Sequence, residues 1–371
     1  MRNVYKNRVI ALKSVLSYAL AKMHNLDFGL DFSRLTSWGT SENAEKKIAG
    51  SQYTDRETKY AGFLTYHFGF GRWNGNVGMR YEYVSAKNQE NDEVKYKDTY
   101  SDILPSFALS ASFGKWAAGI NFSSKINRPS FRQLNNSVNC NNQYHYERGN
   151  IYLKPQYAYD TELNINYKIV GLKLNYQYIK DYIHPMVISV NEESGTVAWT
   201  TANTGKFQQM GMTCVLSPVF GRWRPILTAG IYKPFLTLPF RDKQVRYNHP
   251  YSMVSFQNSV EIGKGWTVRS DLSVSLRGNH GIYEQQSYGS FDVMIQKTLL
   301  HDKLNLTLKG TDLFNWSALK DTKTVNFVVQ HRKVNQYNRG LTLTVSYNLN
   351  SFKDKYKYKG NGAAESEINR F

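Results

Sequence analysis

The chain has 371 residues, of which 41% are hydrophobic, a mean hydropathy of -0.53 and no run of about 18 apolar residues, which excludes a helical membrane protein. Lysine and arginine total 47 against 29 acidic residues, a formal charge of +18, but these charges are spread over all the predicted loops and no nucleic-acid-binding signature is present, so we expect no nucleic-acid partner. Aromatic residues make up 14% of the chain and include 27 tyrosines, which favours a membrane β-barrel with aromatic girdles over a tyrosine-rich soluble β-sandwich.

Residues 1–21 have features of both a signal peptide and a strand. A basic start precedes an apolar stretch that ends in Ala19-Leu20-Ala21. However, Lys13 interrupts this stretch, and alternate residues from Ile10 to Leu20 are apolar or aromatic, apart from Ser14, as on one face of a strand. We favour the strand, which predicts that the chain carries no export signal of its own.

The clearest hairpin is predicted for residues 103–123. Alternate residues from Phe107 to Phe113 are apolar, the residues between them are small or polar, and the alternation resumes after Gly114-Lys115. Each arm has about ten residues, the length with which a tilted strand crosses a bilayer. We expect the face that carries Leu109 to contact lipid and the face that carries Ser110 to line a lumen.

The same alternation recurs along the whole chain. Further arms are predicted at residues 10–20, 26–33, 60–68, 77–83, 163–168, 172–178, 210–216, 266–277, 291–299, 304–308 and 341–349.

The connections between arms are of two kinds. Short turns are predicted near residues 23, 71, 114, 170, 221, 264 and 301, and long polar loops at residues 34–56, 85–102, 127–157, 181–205, 236–250, 278–287 and 313–339. This asymmetry is typical of outer-membrane barrels, which have short periplasmic turns and long extracellular loops. The sequence therefore predicts an all-β fold, an antiparallel transmembrane β-barrel in the outer membrane of a Gram-negative cell.

The number of arms bears on whether the barrel is whole. Seven short turns join fourteen strands, and residues 341–349 add one more, giving about fifteen, with residues 325–329 interpreted as a β excursion inside the last long loop. Bacterial single-chain barrels have an even number of strands with both ends on the periplasmic side, so we expect earlier strands to be missing. The competing count is sixteen strands, with residues 325–329 spanning and both termini on the outer face.

Several motifs carry a family resemblance. Residues 57–83, 126–134 (INRPSFRQL), 149–155 (GNIYLKP), 162–168, 310–315 (GTDLFN) and 339–349 resemble, in this order and at these spacings, the outer-membrane β-barrel family related to TonB-dependent transporters. The resemblance implies a regulatory-like N-terminal domain, a plug with a TonB box and a barrel of about 22 strands, used for energised uptake. The plug, the TonB box and about seven strands have no counterpart here.

Two regions and a set of partners follow from this interpretation. We expect residues 1–349 to form an N-terminally incomplete barrel domain, and residues 350–371 to form a basic polar tail that is disordered and periplasmic. The expected partners are outer-membrane lipid, the barrel assembly machinery and, through a plug absent here, TonB.

No catalytic, metal or cofactor site is predicted, and we expect the chain not to be an enzyme. The eight histidines are scattered, and neither HExxH nor GxSxG occurs. Cys140 and Cys214 lack a CxxC spacing, which argues against a disulfide framework or a zinc site.

The charged residues of the arms are interpreted as lumen residues. Glu162 is expected to pair with a lumen cation such as Lys168 or Lys173. Two further sets of charges are expected to pair across strands, Arg80 with Glu82 and Arg269 with Asp271.

Two function classes remain open from the sequence. The first is a TonB-dependent-type receptor whose loops, especially residues 127–155, capture a ligand. The second is a plugless pore or a structural barrel. The sequence does not identify the ligand.

Overall fold

The computed structural model describes residues 2–42, 51–135, 138–142, 144–191, 193–335, 338–349 and 364–370, which are mostly β-strand. Fifteen of the strands form one continuous antiparallel sheet, in which each strand pairs with the next of this set. In chain order they are β1 Arg2–Ala21, β2 His24–Glu42, β3 Ser51–Phe70, β4 Trp73–Glu90, β5 Glu93–Phe113, β6 Trp116–Asn127, β9 Gln156–Tyr167, β10 Val170–Asn191, β11 Thr196–Leu216, β12 Ile226–Phe240, β14 Tyr251–Gly263, β15 Trp266–Ser275, β18 Tyr288–Leu299, β19 Leu304–Thr311 and β22 Gly340–Tyr347. The predicted all-β fold and the count of about fifteen strands are confirmed.

The remaining elements lie in the long connections. They are α1 Phe131–Leu134, β7 Val138–Asn142, β8 His145–Arg148, β13 Lys243–Tyr247, β16 Gly278–His280, β17 Tyr283–Gln285, β20 Leu319–Val325, β21 Val328–Val334 and α2 Glu365–Ile368. Strands β16, β17, β20 and β21 form a separate four-stranded sheet. Within the described residues, neither helix is long and apolar enough to cross a membrane.

The two faces of the sheet differ as the alternation predicts. On β4, Val77 and Met79 are 50% and 57% exposed, whereas Glu82 on the other face is 4% exposed. An apolar face that is open and a polar face that is covered suit a sheet with lipid outside and a polar lumen inside.

The predicted turns are confirmed. The fifteen-strand sheet turns sharply between β1 and β2, β3 and β4, β5 and β6, β9 and β10, β11 and β12, β14 and β15, and β18 and β19. Gly71 and Gly114 have φ of +58° and +61°, the left-handed conformation that glycine adopts without a steric penalty.

Four of the predicted long loops are wrong over much of their length, because strands continue through them. In residues 34–56, β2 runs to Glu42 and β3 begins at Ser51, and in residues 236–250, β12 runs to Phe240 and pairs with β13. β4 runs to Glu90 and β5 begins at Glu93, so residues 85–102 form a hairpin extension. β10 runs to Asn191 and β11 begins at Thr196, so most of residues 181–205 are also strand. Outside the bilayer neither face of a hairpin contacts lipid, so the apolar alternation disappears although the backbone ladder continues.

The excursion predicted at residues 325–329 is confirmed as part of the hairpin β20–β21. These two strands pair over Leu319–Val325 and Val328–Val334, and the turn Asn326-Phe327 joins them. Since β20 and β21 belong to the four-stranded sheet, the sixteen-strand alternative is excluded.

The long connections pack against one another around an apolar cluster, which we call the outer-loop core. It consists of Ala158, Ile179, Val187, Trp199, Phe207, Leu236, Leu238, Tyr247, Ile282 and Val325, all buried. Six different strands contribute residues to this cluster, so the outer ends of β9–β13 and the hairpin β20–β21 form one packed unit.

The sheet is open at both edges. Among the described residues, β1 pairs with β2 alone and β22 pairs with β19 alone, and no ladder joins β1 to β22. All eight residues of β22 are exposed. The described strands therefore form a sheet whose two edges, β1 and β22, are not paired with each other.

The C-terminal tail is described only in part. Residues 350–363, for which disorder was expected, lie outside the described residues. In α2, Glu367 is 2% exposed and forms an ion pair with Lys59 of β3, while disorder of the tail stays a prediction. The end of the chain therefore contacts the polar face of the sheet.

Candidate functional site

A chain of ion pairs crosses the polar face of β2–β6. Arg80 Nη1 lies 2.7 Å from Asp31 Oδ2 of β2, and Arg80 Nε lies 2.6 Å from Glu82 Oε1 on its own strand. Glu82 Oε2 in turn lies 2.5 Å from Arg128 Nη2, whose Nε donates to the Tyr100 hydroxyl at 3.1 Å. The predicted cross-strand role of Arg80 and Glu82 is confirmed, and Arg128 of the RPSF motif is a third member that the alternation did not reveal.

The other predicted pairs have different outcomes. Glu162 Oε1 lies 2.6 Å from Lys173 Nζ, as expected, whereas Lys168 occupies a turn and lies over the Tyr167 ring at 5.3 Å. Arg269 and Asp271 form no ion pair with another described residue, so their predicted cross-strand pairing is wrong. Asp271 lies opposite Asp292 in the ladder, and Asp292 pairs with Lys309.

Two of the sequence motifs meet at the outer end of the lumen. The backbone N–H of Asn150, in GNIYLKP, donates to the Gln133 carbonyl of INRPSFRQL at 2.6 Å. A Cβ on Gly149 would lie 2.0 Å from the carbonyl oxygen of Asn135, so glycine permits this close approach. Phe131 and Leu153 are buried together beside the junction. The motifs thus fasten the loop between β6 and β9.

A group of amide side chains lies on the lumen face toward the short turns. A cavity of about 660 Å³ there is bordered by the amides Asn74, Asn76, Asn121 and Asn164, with Ser110 and Gly119 among them. Amide side chains both donate and accept hydrogen bonds, so this region presents a wettable surface, and His67, which also borders it, lies 3.1 Å from the Asp27 carboxylate.

A second cavity, of about 270 Å³, lies among the outer loops. Its lining includes Arg132, His145, Glu147, Trp199 and Lys323. The Lys323 ammonium stands 4.1 Å from the centroid of the Trp199 ring, a cation–π geometry. Glu147 lies 3.1 Å from Arg132 and 3.6 Å from His145, so one carboxylate faces several basic groups.

The electrostatics of this outer cavity favour an anion. Burial lowers the pKa of Lys323, and the nearby positive charge of Arg332 lowers it further. Arg332 is itself held by Asp321 through a contact of 2.5 Å. A negative ligand beside Lys323 would stabilise its charged form, and the Trp199 face offers an apolar surface next to that charge.

The family is shown by sequence. The model of the outer membrane protein beta-barrel family matches residues 1–347. The chain belongs to this outer-membrane β-barrel family. Its location is therefore the outer membrane, as the short turns and long loops predicted. No curated protein matches the sequence at a significant level.

Solved structures show the same architecture at low sequence identity. The ferric-catecholate import receptor Fiu from Escherichia coli K12 aligns over 92% of this chain and 55% of its own, with a TM-score of 0.63 and 11% identity. The copper transporter OprC aligns over 93% and 57%, with a TM-score of 0.64 and 14% identity. The ferric yersiniabactin uptake receptor FyuA from Yersinia pestis aligns over 92% and 54%, with a TM-score of 0.60 and 13% identity.

This member of the outer-membrane β-barrel family spans little more than half the length of those receptors. The likeness at this identity establishes the barrel fold.

The described residues bring together no group of three or more metal-ligating side chains. Cys214 is a free thiol, and the side chain of Cys140 lies outside the described residues. Residues 127–155, which the sequence analysis named as a ligand-capturing loop, supply Arg132, His145 and Glu147 to the outer cavity. The contributions of Trp199 and Lys323 were not predicted, because they come from two other loops. A tryptophan in a predicted polar loop was the one signal at Trp199.

Proposed function

We propose that this chain is the barrel of a TonB-dependent-type receptor that takes up a ligand across the outer membrane. The observation that supports the proposal is the outer cavity beside Trp199 and Lys323. The packed outer loops form this cavity at the outer end of a polar lumen. Loops that pack around an apolar core keep a preformed cavity, as capture of a dilute ligand requires.

In this proposal, residues 1–349 are the membrane-embedded unit, and strands from another segment complete it. The open edges of β1 and β22 support this, because closure of the barrel requires partners for both. The plug and the TonB contact expected from the family resemblance would belong to that further segment. The barrel assembly machinery inserts the finished barrel into outer-membrane lipid.

The ligand class follows from the outer cavity. Basic groups beside an indole ring fit an anionic ligand with an apolar or aromatic part. The names of the solved relatives refer to ferric chelates and to copper. We propose uptake as the role of the chain, with no catalytic step.

Conductance separates the receptor from a plugless pore without knowledge of the ligand. Protein extracted from the outer membranes of its host would be reconstituted in planar bilayers. A receptor barrel with its lumen filled is expected to stay closed at rest, whereas a plugless pore gives steady conductance steps in every insertion. Persistent open channels would therefore reject the receptor assignment.

A second experiment tests the cavity. Host cells that carry Trp199→Ala or Lys323→Ala would be compared with control cells that carry Lys333→Ala, a change at an exposed lysine of β21. The measurement is the uptake of labelled ferric catecholate and of labelled copper, each with and without a proton-motive force. For a ligand of this site, we expect energy-dependent uptake to fall in the two cavity variants and to stay unchanged in Lys333→Ala. Equal uptake by all three would remove the cavity from the mechanism.

A further inference from the structure

The end of the chain fits the polar face of β3 with matched charges. Lys59 donates to Glu367 Oε1 of α2. Arg370 Nη1 and Nη2 lie 2.6 and 2.9 Å from the two carboxylate oxygens of Glu57. Arg370 also lies 3.3 Å from Glu367. Each side of the contact has one anion and one cation: Glu57 and Lys59 on β3, and Glu367 and Arg370 on the C-terminal segment.

The RPSF motif forms the other wall of this contact. Arg370 Nη2 donates to the Pro129 carbonyl at 3.2 Å, and the Phe131 N–H donates to the Arg370 carbonyl at 3.1 Å. The guanidinium lies 4.9 Å from the centroid of the Phe131 ring. Both the backbone and the side chain of Arg370 are therefore recognised.

Burial makes these contacts selective. With α2 in place, Glu57, Lys59 and Glu367 are 4%, 7% and 2% exposed. A buried charge that loses its partner is strongly unfavourable, whereas a bidentate arginine–carboxylate pair satisfies both groups with defined geometry. A segment with the two charges in the reverse order would place arginine against Lys59 and glutamate against Glu57.

We propose that Glu57, Lys59 and the RPSF motif form a peptide-binding site in the lumen, specific for a segment with the order Glu-x-x-Arg. Its resident ligand is the C-terminal segment of this same chain, Glu367 to Arg370. The site is distinct from the outer cavity beside Trp199, and it ties the loop between β6 and β9 to the end of the polypeptide. The RPSF motif is thereby explained as a peptide contact.

The test supplies the segment from outside. Full-length protein with the tail charges reversed, Glu367→Arg with Arg370→Glu, would be extracted from host outer membranes, where any partner strands are present. A fluorescent peptide of sequence GAAESEINRF is then titrated by anisotropy. The reversed-tail protein is expected to bind this peptide at least about 30-fold more tightly than the wild-type protein, whose site is occupied, since loss of a buried charge pair is typically worth this factor or more.

Matched peptides and a second readout complete the test. A peptide with the glutamate and arginine exchanged should bind the reversed-tail protein about 30-fold more weakly than the native peptide. In the protein with the native tail, Lys59→Glu with Glu57→Lys should invert that preference, because the inverted site repels its own tail and is left open to the exchanged peptide. Hydrogen exchange at residues 131–135 should quicken in the reversed-tail protein, or in Arg370→Gln if the former does not fold, and slow again with native peptide. Equal binding of both peptides, or unchanged exchange, would overturn the proposal.

Discussion

Arginine at position 109 is expected to block insertion of the barrel, whereas arginine at the next position is tolerated. Leu109 lies opposite Ile120 in the ladder, and Phe107 on the same face lies opposite Val77, which is 50% exposed. Ser110 points to the other face, where its hydroxyl donates to the Asn74 carbonyl at 3.2 Å. Adjacent residues thus test the assignment of the two faces.

The depth of Leu109 follows from its own strand. The apolar face of β5 extends from Ile103 to Phe113, and Phe113 meets Trp73 edge to face at 5.6 Å beside the short turn. Ten residues at about 3.3 Å each, tilted by about 40°, span roughly 25 Å of height, the height of the apolar band in such barrels. Leu109 lies about 10 Å inside this band from the Phe113 end.

The expected cost is that of a lipid-facing cation. Arginine near the bilayer midplane destabilises a barrel by about 2–4 kcal/mol, a factor of roughly 30 to 900 in the ratio of folded to unfolded protein. Ser110→Arg instead enters the cavity of about 660 Å³ in the lumen. The measurement is the heat-modifiable folded band in outer-membrane fractions across a urea series. Equal urea midpoints for the two variants would refute the assigned alternation.

Three other perturbations follow from the fold. Gly149→Ala should destabilise the contact between the two motifs by about 1–3 kcal/mol, because the new Cβ would overlap the Asn135 carbonyl, and protease should then cleave the loop faster. The control is Gly205→Ala, whose Cβ would have no atom within 4 Å and which should leave the cleavage rate unchanged. Burial lowers the pKa of His184, so the stability that its neutral ring gives the outer loops is full above about pH 6.5 and falls as the pH drops below that value. We expect hydrogen exchange in residues 179–205, corrected for intrinsic rates, to be faster at pH 5 than at pH 7.5. This difference should be absent in His184→Gln. Residues 1–371 expressed alone behind a signal peptide should aggregate or be degraded, because β1 and β22 remain open in hydrocarbon, and a protease-resistant barrel from this chain alone would contradict that expectation.

The sequence predicted the membrane-embedded part of the fold well because lipid imposes a simple rule. Every second residue must be apolar, as at Val77, Met79 and Tyr81, and a tight turn must end each pair of strands. The outer part follows no such rule. At residues 85–102 both faces of the hairpin meet water or other loops, so its strands have no periodic signal even though their backbones pair throughout.

The sites were harder to predict for a different reason. Glu82 and Lys173 could be assigned to the lumen from alternation within one strand, but the contacts of Arg128, Lys323 and Arg370 join segments that are distant in the chain. Local periodicity holds no information about which loop closes over which strand. The RPSF and GNIYLKP motifs marked the place without revealing that they contact each other.

The unequal lengths of the two edge strands determine where the outer face yields most easily. β1 has 20 residues and β22 has 8, which at ~3.3 Å per residue and a tilt of ~40° corresponds to walls that differ by roughly 30 Å in height. The long strands β1–β5 pair with one another as one continuous part of the sheet, so bending them outward would break many backbone hydrogen bonds. Among the described residues, the edge strand β22 has no such extended ladder beyond its eight residues. The separate sheet of β16, β17, β20 and β21 packs instead on β10 and β12, through the bridge from Phe240 to Asn326 and the hydrogen bond from the Asn326 amide to the Val187 carbonyl. The outer end of the sheet is therefore stiffer beside β1 than beside β22.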